Sequence, residues 1–322
     1  MGSIRNTCNG FGSQTGFVKF PELMTSSPFD SPYFSGLREG INARLEKSVA
    51  EVSGCPDTLR ESMHYSLLAG GKRLRPILSL VACETCGGDR EAALPVACAI
   101  EMVHTYSLIH DDLPAMDDDD LRRGHPTNHK VYGEAMAILA GDALLTLAFE
   151  TIVVGLPSDV AAECVLDLAV AGGRCGMVGG QTVDMQAEEQ SAAGAEFSVD
   201  QLEGIHKRKT GKLLQSALTM GGRVARAGEK QLFALESFGE RVGLAFQIAD
   251  DLLDIRGDAQ KIGKRVGKDS DAGKLTYPGL LGLEESQVRA EQLIREACDA
   301  LDVFDNAEHL RQLAKFVLKR EQ

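Results

Sequence analysis

Between Pro157 and Pro278 the chain runs for 120 residues without a proline. Proline breaks helices and marks turns, so so long a stretch, rich in Ala, Leu, Glu and Lys, reads as consecutive long helices. Spacing supports this from the N-terminal side onward. Leu37, Ile41, Leu45, Val49 and Val52 recur at steps of three and four, the period of one buried helix face. Similar stripes run through residues 92–112, 134–154, 159–177, 199–224, 229–255, 285–301 and 307–319. There is no serial alternation of β-branched residues and no Asn-Gly turn, so strands are not expected. The breaks at 54–56, 87–89, 114, 125–127, 157–158, 192–195 and 257–276 read as connections inside one bundle. The expected architecture is one all-α helical bundle over residues 34–322, preceded by a disordered tail over 1–33. That tail lacks the apolar core of a secretory signal and the Arg-rich amphipathic character of a transit peptide.

Charge narrows the chemistry. With 34 Lys and Arg against 47 Asp and Glu the formal net charge is −13, and no basic stripe suits a nucleic acid. No uninterrupted apolar run reaches 18 residues, so no membrane span is expected. The eight cysteines are scattered, and Cys83 and Cys86 lack a second ligand pair for zinc. They are expected to be buried thiols in a reducing cytoplasm.

Two acidic clusters stand out. Residues 111–120 read DDLPAMDDDD, six aspartates in ten residues, at the end of an apolar stretch that Pro114 stops. A solvated acidic loop would explain aspartates alone. These, however, project from a buried element, with His104 two turns before Asp111 on the same face. A second cluster follows 139 residues later: Gln247, Asp250, Asp251 and Asp254 fall at i, i+3, i+4 and i+7, opposite Phe246, Ile248, Leu252 and Leu253. Such carboxylates are costly to bury without cations. Hard oxygen donors in this number suit Mg²⁺ together with phosphate oxygens, and calcium-loop spacing is absent.

Positive charge is equally localised. Lys72, Arg73 and Arg75 follow the turn Gly70-Gly71, and Arg122-Arg123 follow the aspartate run. Lys207, Arg208, Lys209, Thr210 and Lys212 form a further basic segment, and Lys264, Lys268 and Lys274 lie after the second cluster. Two carboxylate clusters, each trailed by cations, plus two further basic turns, describe a site for two diphosphates: one metal-bound, the other held by cations alone.

The set GGKRLRP, DDLPAMDDDDLRRG, KTG, FQIADDLLD and GKLTYP, in this order over about residues 35–320, resembles the polyprenyl synthetase family, specifically its short-chain trans-prenyl diphosphate synthases. The resemblance implies an all-α homodimer with both aspartate motifs at the mouth of a deep cavity. It implies three Mg²⁺ held by Asp111, Asp112, Asp117, Asp250, Asp251 and Asp254. Lys72, Arg75, His104 and Arg123 would then hold isopentenyl diphosphate. Arg122, Lys209, Thr210, Gln247, Lys264 and Lys274 would hold the allylic diphosphate, dimethylallyl or geranyl. Asp111, Asp250, Arg122 and Lys209 would carry the catalysis. In this family the growing tail descends beside the helix ending at Asp111, so Tyr106 and Ser107, five and four positions before it, would form the cavity floor. A ring at 106 points to farnesyl diphosphate, with geranylgeranyl diphosphate the alternative. A terpene cyclase would not need the GGKRLRP site, and a silent subunit of a heteromeric synthase would be expected to lack one aspartate motif.

Overall fold

The computed structural model describes residues 27–50, 54–256 and 275–319. Ser31 and two prolines start the bundle: the Ser31 hydroxyl accepts from Phe34 N–H at 3.4 Å, and Pro32 occupies the first position of α1 (Pro32–Ser48). Phe29, just ahead of α1, is buried beside Phe34 and Phe316, so the packed structure begins before residue 34. The helices that follow are α2 (Asp57–Leu67), α3 (Leu74–Thr85), α4 (Leu94–Asp111), α5 (Asn128–Tyr132), α6 (Glu134–Gly155), α7 (Ser158–Gly172), α8 (Met177–Ala192) and α9 (Val199–His206). A π-helical turn (Lys207–Gly211) leads into α10 (Lys212–Val224), and α11 (Glu229–Arg256) follows. After residue 274 come α12 (Tyr277–Leu281), α13 (Leu283–Ala300) and α14 (Glu308–Leu318).

α4 is apolar all round and is the central helix, packed by α1, α2, α3, α6 and α10. Its contact with α6 is close because α6 offers Ala137, Ala140, Gly141 and Ala148 to it along one face. α11 packs against α10 and α13.

The all-α expectation holds with one local exception. Leu121–Arg122 and His125–Pro126 pair as a two-residue antiparallel hairpin, with Arg123 (φ 53°) and Gly124 (φ 78°) at its turn. Two left-handed residues in succession make the tight turn that matches strand twist. Alternating side chains play no part in it, which is why strand periodicity gave no signal. The stripe read over 159–177 is α7, which ends at Gly172; the break at residues 173–176 follows, and Met177 already begins α8.

α4, with the turn from Arg90 before it, and α6 are each long and apolar enough to cross a membrane by length and composition alone, a test that a buried core helix also passes, and α4 is mostly buried. The expectation of buried thiols needs one correction. Of the cysteines, Cys83, Cys98 and Cys164 are buried, with thiols pushed up to about 12 by burial, but Cys175 is exposed.

Candidate active site

The aspartate run folds back over the end of α4. Backbone N–H groups of Asp117, Asp118 and Asp119 donate to the carbonyls of Asp111, Leu113 and Asp112, at 2.8, 3.2 and 3.2 Å. They thereby satisfy acceptors that the ending helix leaves open. The Thr127 hydroxyl closes the loop by donating to the Asp119 carbonyl at 2.8 Å. The six carboxylates separate into two sets. Asp112, only 3% exposed, is paired with Arg122 at 2.5 Å, and Arg122 also faces Asp119 at 3.7 Å. Lys130 takes Asp120 at 2.6 Å. Asp111 lies elsewhere: burial raises its pKa to about 6, and the charges of Asp117 and Asp112 push the same way against Lys209 and Arg122.

The hairpin brings the second motif to this loop. Arg123 donates to the Gly70 carbonyl, and its guanidinium covers Gly71, where a Cβ would stand 2.7 Å from Nη1. Gly70 and Gly71 both have positive φ, so glycine is required there twice over. Arg73 is structural: buried, it pairs with Glu101 at 2.6 Å and also donates to Asn42 and the Leu67 carbonyl. His104 sits amid these arginines. Burial first, then the charges of Arg75, Arg123, Arg122 and Arg73, hold its pKa well below the usual range, so the imidazole is neutral. Thus Arg75, His104 and Arg123 come together, whereas the Lys72 ammonium rests 5.0 Å over the Phe316 ring of α14. Among the described residues, four non-glycines have positive φ, and Arg73, Asp118 and Arg123 are three of them. Backbone strain gathered in this way marks a functional region.

The π turn joins the two aspartate motifs. It is gripped from both sides by bare backbone: a Cβ on Gly180 of α8 would stand 2.3 Å from Lys209 N, and one on Gly243 of α11 2.9 Å from Gly211 Cα. An inserted residue in a helix re-aims the side chains around it. Here Lys209 meets Asp184 at 2.6 Å and lies near enough to Asp111 to oppose its raised pKa. Thr210 donates to Gln247 Oε1 at 2.7 Å, one turn before Asp250 and Asp251 on α11. Asp251, 7% exposed, accepts the Tyr277 backbone N–H at 2.9 Å. Tyr277 stacks on His206, with ring centroids 5.6 Å apart and planes 20° from parallel.

Among the described residues no three carboxylate, imidazole or thiol side chains stand gathered as for a metal ion. Like charges spread, and Asp112 and Asp251 are engaged by Arg122 and a backbone amide. The donor set nevertheless fits Mg²⁺. It is all hard oxygen, and Asp111 carries a carboxylate that burial disfavours and a cation would restore. Asp254 lies on the last turns of α11, half-buried. Lys264 and Lys274 lie outside the described residues.

Tyr106 is in the core of α4, 7% exposed, and Ser107 turns its hydroxyl onto the His104 carbonyl at 2.9 Å, leaving no bulk at that position. Asp184, His206 and the role of Tyr277 were not foreseen. Asp184 falls four residues after Gly180, on one face of α8, a spacing that could have flagged it.

Comparison with known proteins places these features in a family. The polyprenyl synthetase family model matches residues 56–316. A chloroplastic geranylgeranyl pyrophosphate synthase of Catharanthus roseus is 46% identical over 303 residues, 92% of this chain and 83% of that protein. A farnesyl diphosphate synthase of Bacillus subtilis is 50% identical over 246 residues, 75% of this chain and 81% of that protein. Among solved structures, an FPP/GFPP synthase from Zymomonas mobilis superposes with a TM-score of 0.78 at 38% identity, covering 89% of this chain and 97% of that one.

Proposed function

The chain belongs to the polyprenyl synthetase family and is a short-chain prenyltransferase, and from that premise we propose that it is a magnesium-dependent farnesyl diphosphate synthase. Its substrates are isopentenyl diphosphate and the allylic dimethylallyl and geranyl diphosphates. The observation that carries the product length is the buried ring of Tyr106, five positions before Asp111 on α4. A ring there stops a tail that a small residue lets pass.

Asp111, Asp112 and Asp117, with Asp250, Asp251 and Asp254, would hold three Mg²⁺. Bound there, the ions neutralise the allylic diphosphate and lower the barrier to its departure. Arg122 and Lys209 supply positive charge to the same leaving group, each exchanging a carboxylate partner for phosphate oxygens. Thr210 and Gln247, already hydrogen-bonded together, orient it, with Lys264 and Lys274 added from the segment after α11. Arg75, Arg123 and Lys72 hold isopentenyl diphosphate, and neutral His104 lends an N–H without adding charge. As the allylic C–O bond breaks, the pair of electrons leaves with the diphosphate. The double bond of isopentenyl diphosphate attacks the allylic cation, and the departed diphosphate accepts the proton then lost. An apolar, water-excluding wall protects the cation.

The alternative product is geranylgeranyl diphosphate, favoured by the name of the Catharanthus relative. One assay decides. Purified protein with Mg²⁺, isopentenyl diphosphate and geranyl diphosphate is expected to stop at C15, and folded Tyr106→Ala to carry at least one condensation further. Truncating this buried ring costs about 3–5 kcal/mol, so folding is checked first. A wild-type protein that makes C20 overturns the farnesyl reading.

Exposed apolar residues on α6 (Ile138, Leu139, Val153, Val154) and α7 (Leu166, Val170) support the homodimer the family resemblance implies.

A further inference from the structure

Gly141 stands inside the 22-residue helix α6, where glycine is less favourable than alanine. Its missing side chain makes room for His110. A Cβ on Gly141 would stand 2.2 Å from His110 Nε2 and 2.7 Å from Cδ2. The imidazole thus lies against bare α6 backbone and contacts the Ile138 carbonyl at 3.1 Å. A carbonyl oxygen only accepts, so Nε2 carries the proton and donates it. The imidazole also meets Tyr106, one turn earlier on α4, with ring centroids 5.7 Å apart and planes at 79°. This is the edge-to-face arrangement that aromatic pairs favour. Glycine backbone, imidazole and phenol form one line of contact from α6 into α4.

We propose that Gly141 helps set product length, acting through His110 as a positioning residue that fixes where the Tyr106 ring stands. The inference rests on the reading of Tyr106 as the stop for the prenyl tail. Neither Gly141 nor His110 touches substrate in this account. The α4–α6 contact is lined by Ala137, Ala140, Leu144 and Ala148, all fully buried, so the two backbones have little freedom to part. What yields is the imidazole, the free end of a side chain. A methyl at 141 enters from α6 and drives the imidazole toward Tyr106, pushing the phenol into the space the tail needs. Removing the imidazole takes the support away and lets a longer tail press the phenol aside.

The test reads product distribution on folded enzyme, with unfolding midpoints measured alongside. Gly141→Ala is expected to raise severalfold the share of product one isoprene unit shorter than the wild-type main product. His110→Ala is expected to raise the share of longer product, and adding Gly141→Ala to that background is expected to change nothing more. A merely structural defect lowers total turnover without altering the ratio. Folded Gly141→Ala with wild-type products, or an effect of Gly141→Ala that persists without His110, overturns the inference. Tyr106→Ala run in parallel separates the two readings. Unchanged products from it remove the premise. Longer products from it, with Gly141→Ala silent, remove only the role given to Gly141.

Discussion

Burial and two neighbouring carboxylates raise the pKa of Asp111 from 3.8 to about 6, so the folded chain favours its protonated form. The sign follows from linkage. Relative to an uncharged residue, stability at this position is full below pH 3.8, falls as pH rises through 6, and stays low above it. In metal-free protein Asp111→Asn is therefore expected to melt higher than wild type at pH 7–8, the gap closing as pH drops below about 4. The same variant is expected to lose activity by orders of magnitude, because a metal ligand is gone. Equal melting temperatures in chelator at pH 8 would contradict the first part, and near-normal turnover in saturating Mg²⁺ the second. His206 behaves in the opposite sense. Burial lowers its pKa from 6.5 to about 4, and neither ring nitrogen has a hydrogen-bond partner among the described residues. Its stability contribution is intact above pH 6.5 and declines as pH falls toward 4. His206→Phe keeps the stacked ring, so its thermal stability is expected to match or exceed wild type at pH 7 and to decline less between pH 6.5 and 4. The sequence identified Asp111 and Asp112 alike. That Asp112 is taken by Arg122 while Asp111 faces Lys209 depends on a loop folding back, which spacing does not encode.

At the scale of elements, the stripe over 199–224 read as one helix and proves to be α9, a π turn and α10. Apolar periodicity tolerates one inserted residue, so a π turn leaves little trace in it. The basic cluster KRKTG located the turn without revealing its geometry. The consequence is a division of labour between elements. In the proposed site the turn before α3 and Arg123 at the hairpin turn supply one group of cations, while Arg122 of the hairpin and Lys209 of the π turn supply the other. Steady-state kinetics on single variants check it. Lys72→Ala and Arg75→Ala are expected to raise chiefly the KM for isopentenyl diphosphate, and Lys209→Ala chiefly the KM for the allylic substrate, each by roughly tenfold or more for a lost charge-assisted contact. Equal shifts of both KM values in all three variants would refute the two-site division.

At the scale of the whole molecule, α6 is the exception to inside-out patterning. One face is sealed against α4, while Val154 is 81% and Val153 60% exposed. A second copy covering this face, as proposed above, would account for both its apolarity and its exposure. Sedimentation of the wild type is expected to give a dimer, and Leu139→Glu combined with Val153→Glu a monomer with reduced activity. A monomeric wild type, or a dimer unaffected by both charges, would place the partner surface elsewhere.

The sequence by itself determined the helical class, the order of the elements and the identity of the charged motifs. Each of these is a local matter of period, punctuation and residue type. Tertiary structure alone decided which charges meet. Arg73 turns inward to Glu101 while its neighbour Arg75 joins His104 and Arg123, although all three basic residues at 72, 73 and 75 look alike in the sequence. Gly141 carries no signal of its own, and its meaning comes from an imidazole 31 positions earlier that lands on it when α4 packs against α6. Contacts between distant segments arise from close packing of whole helices, and no local pattern can specify them in advance.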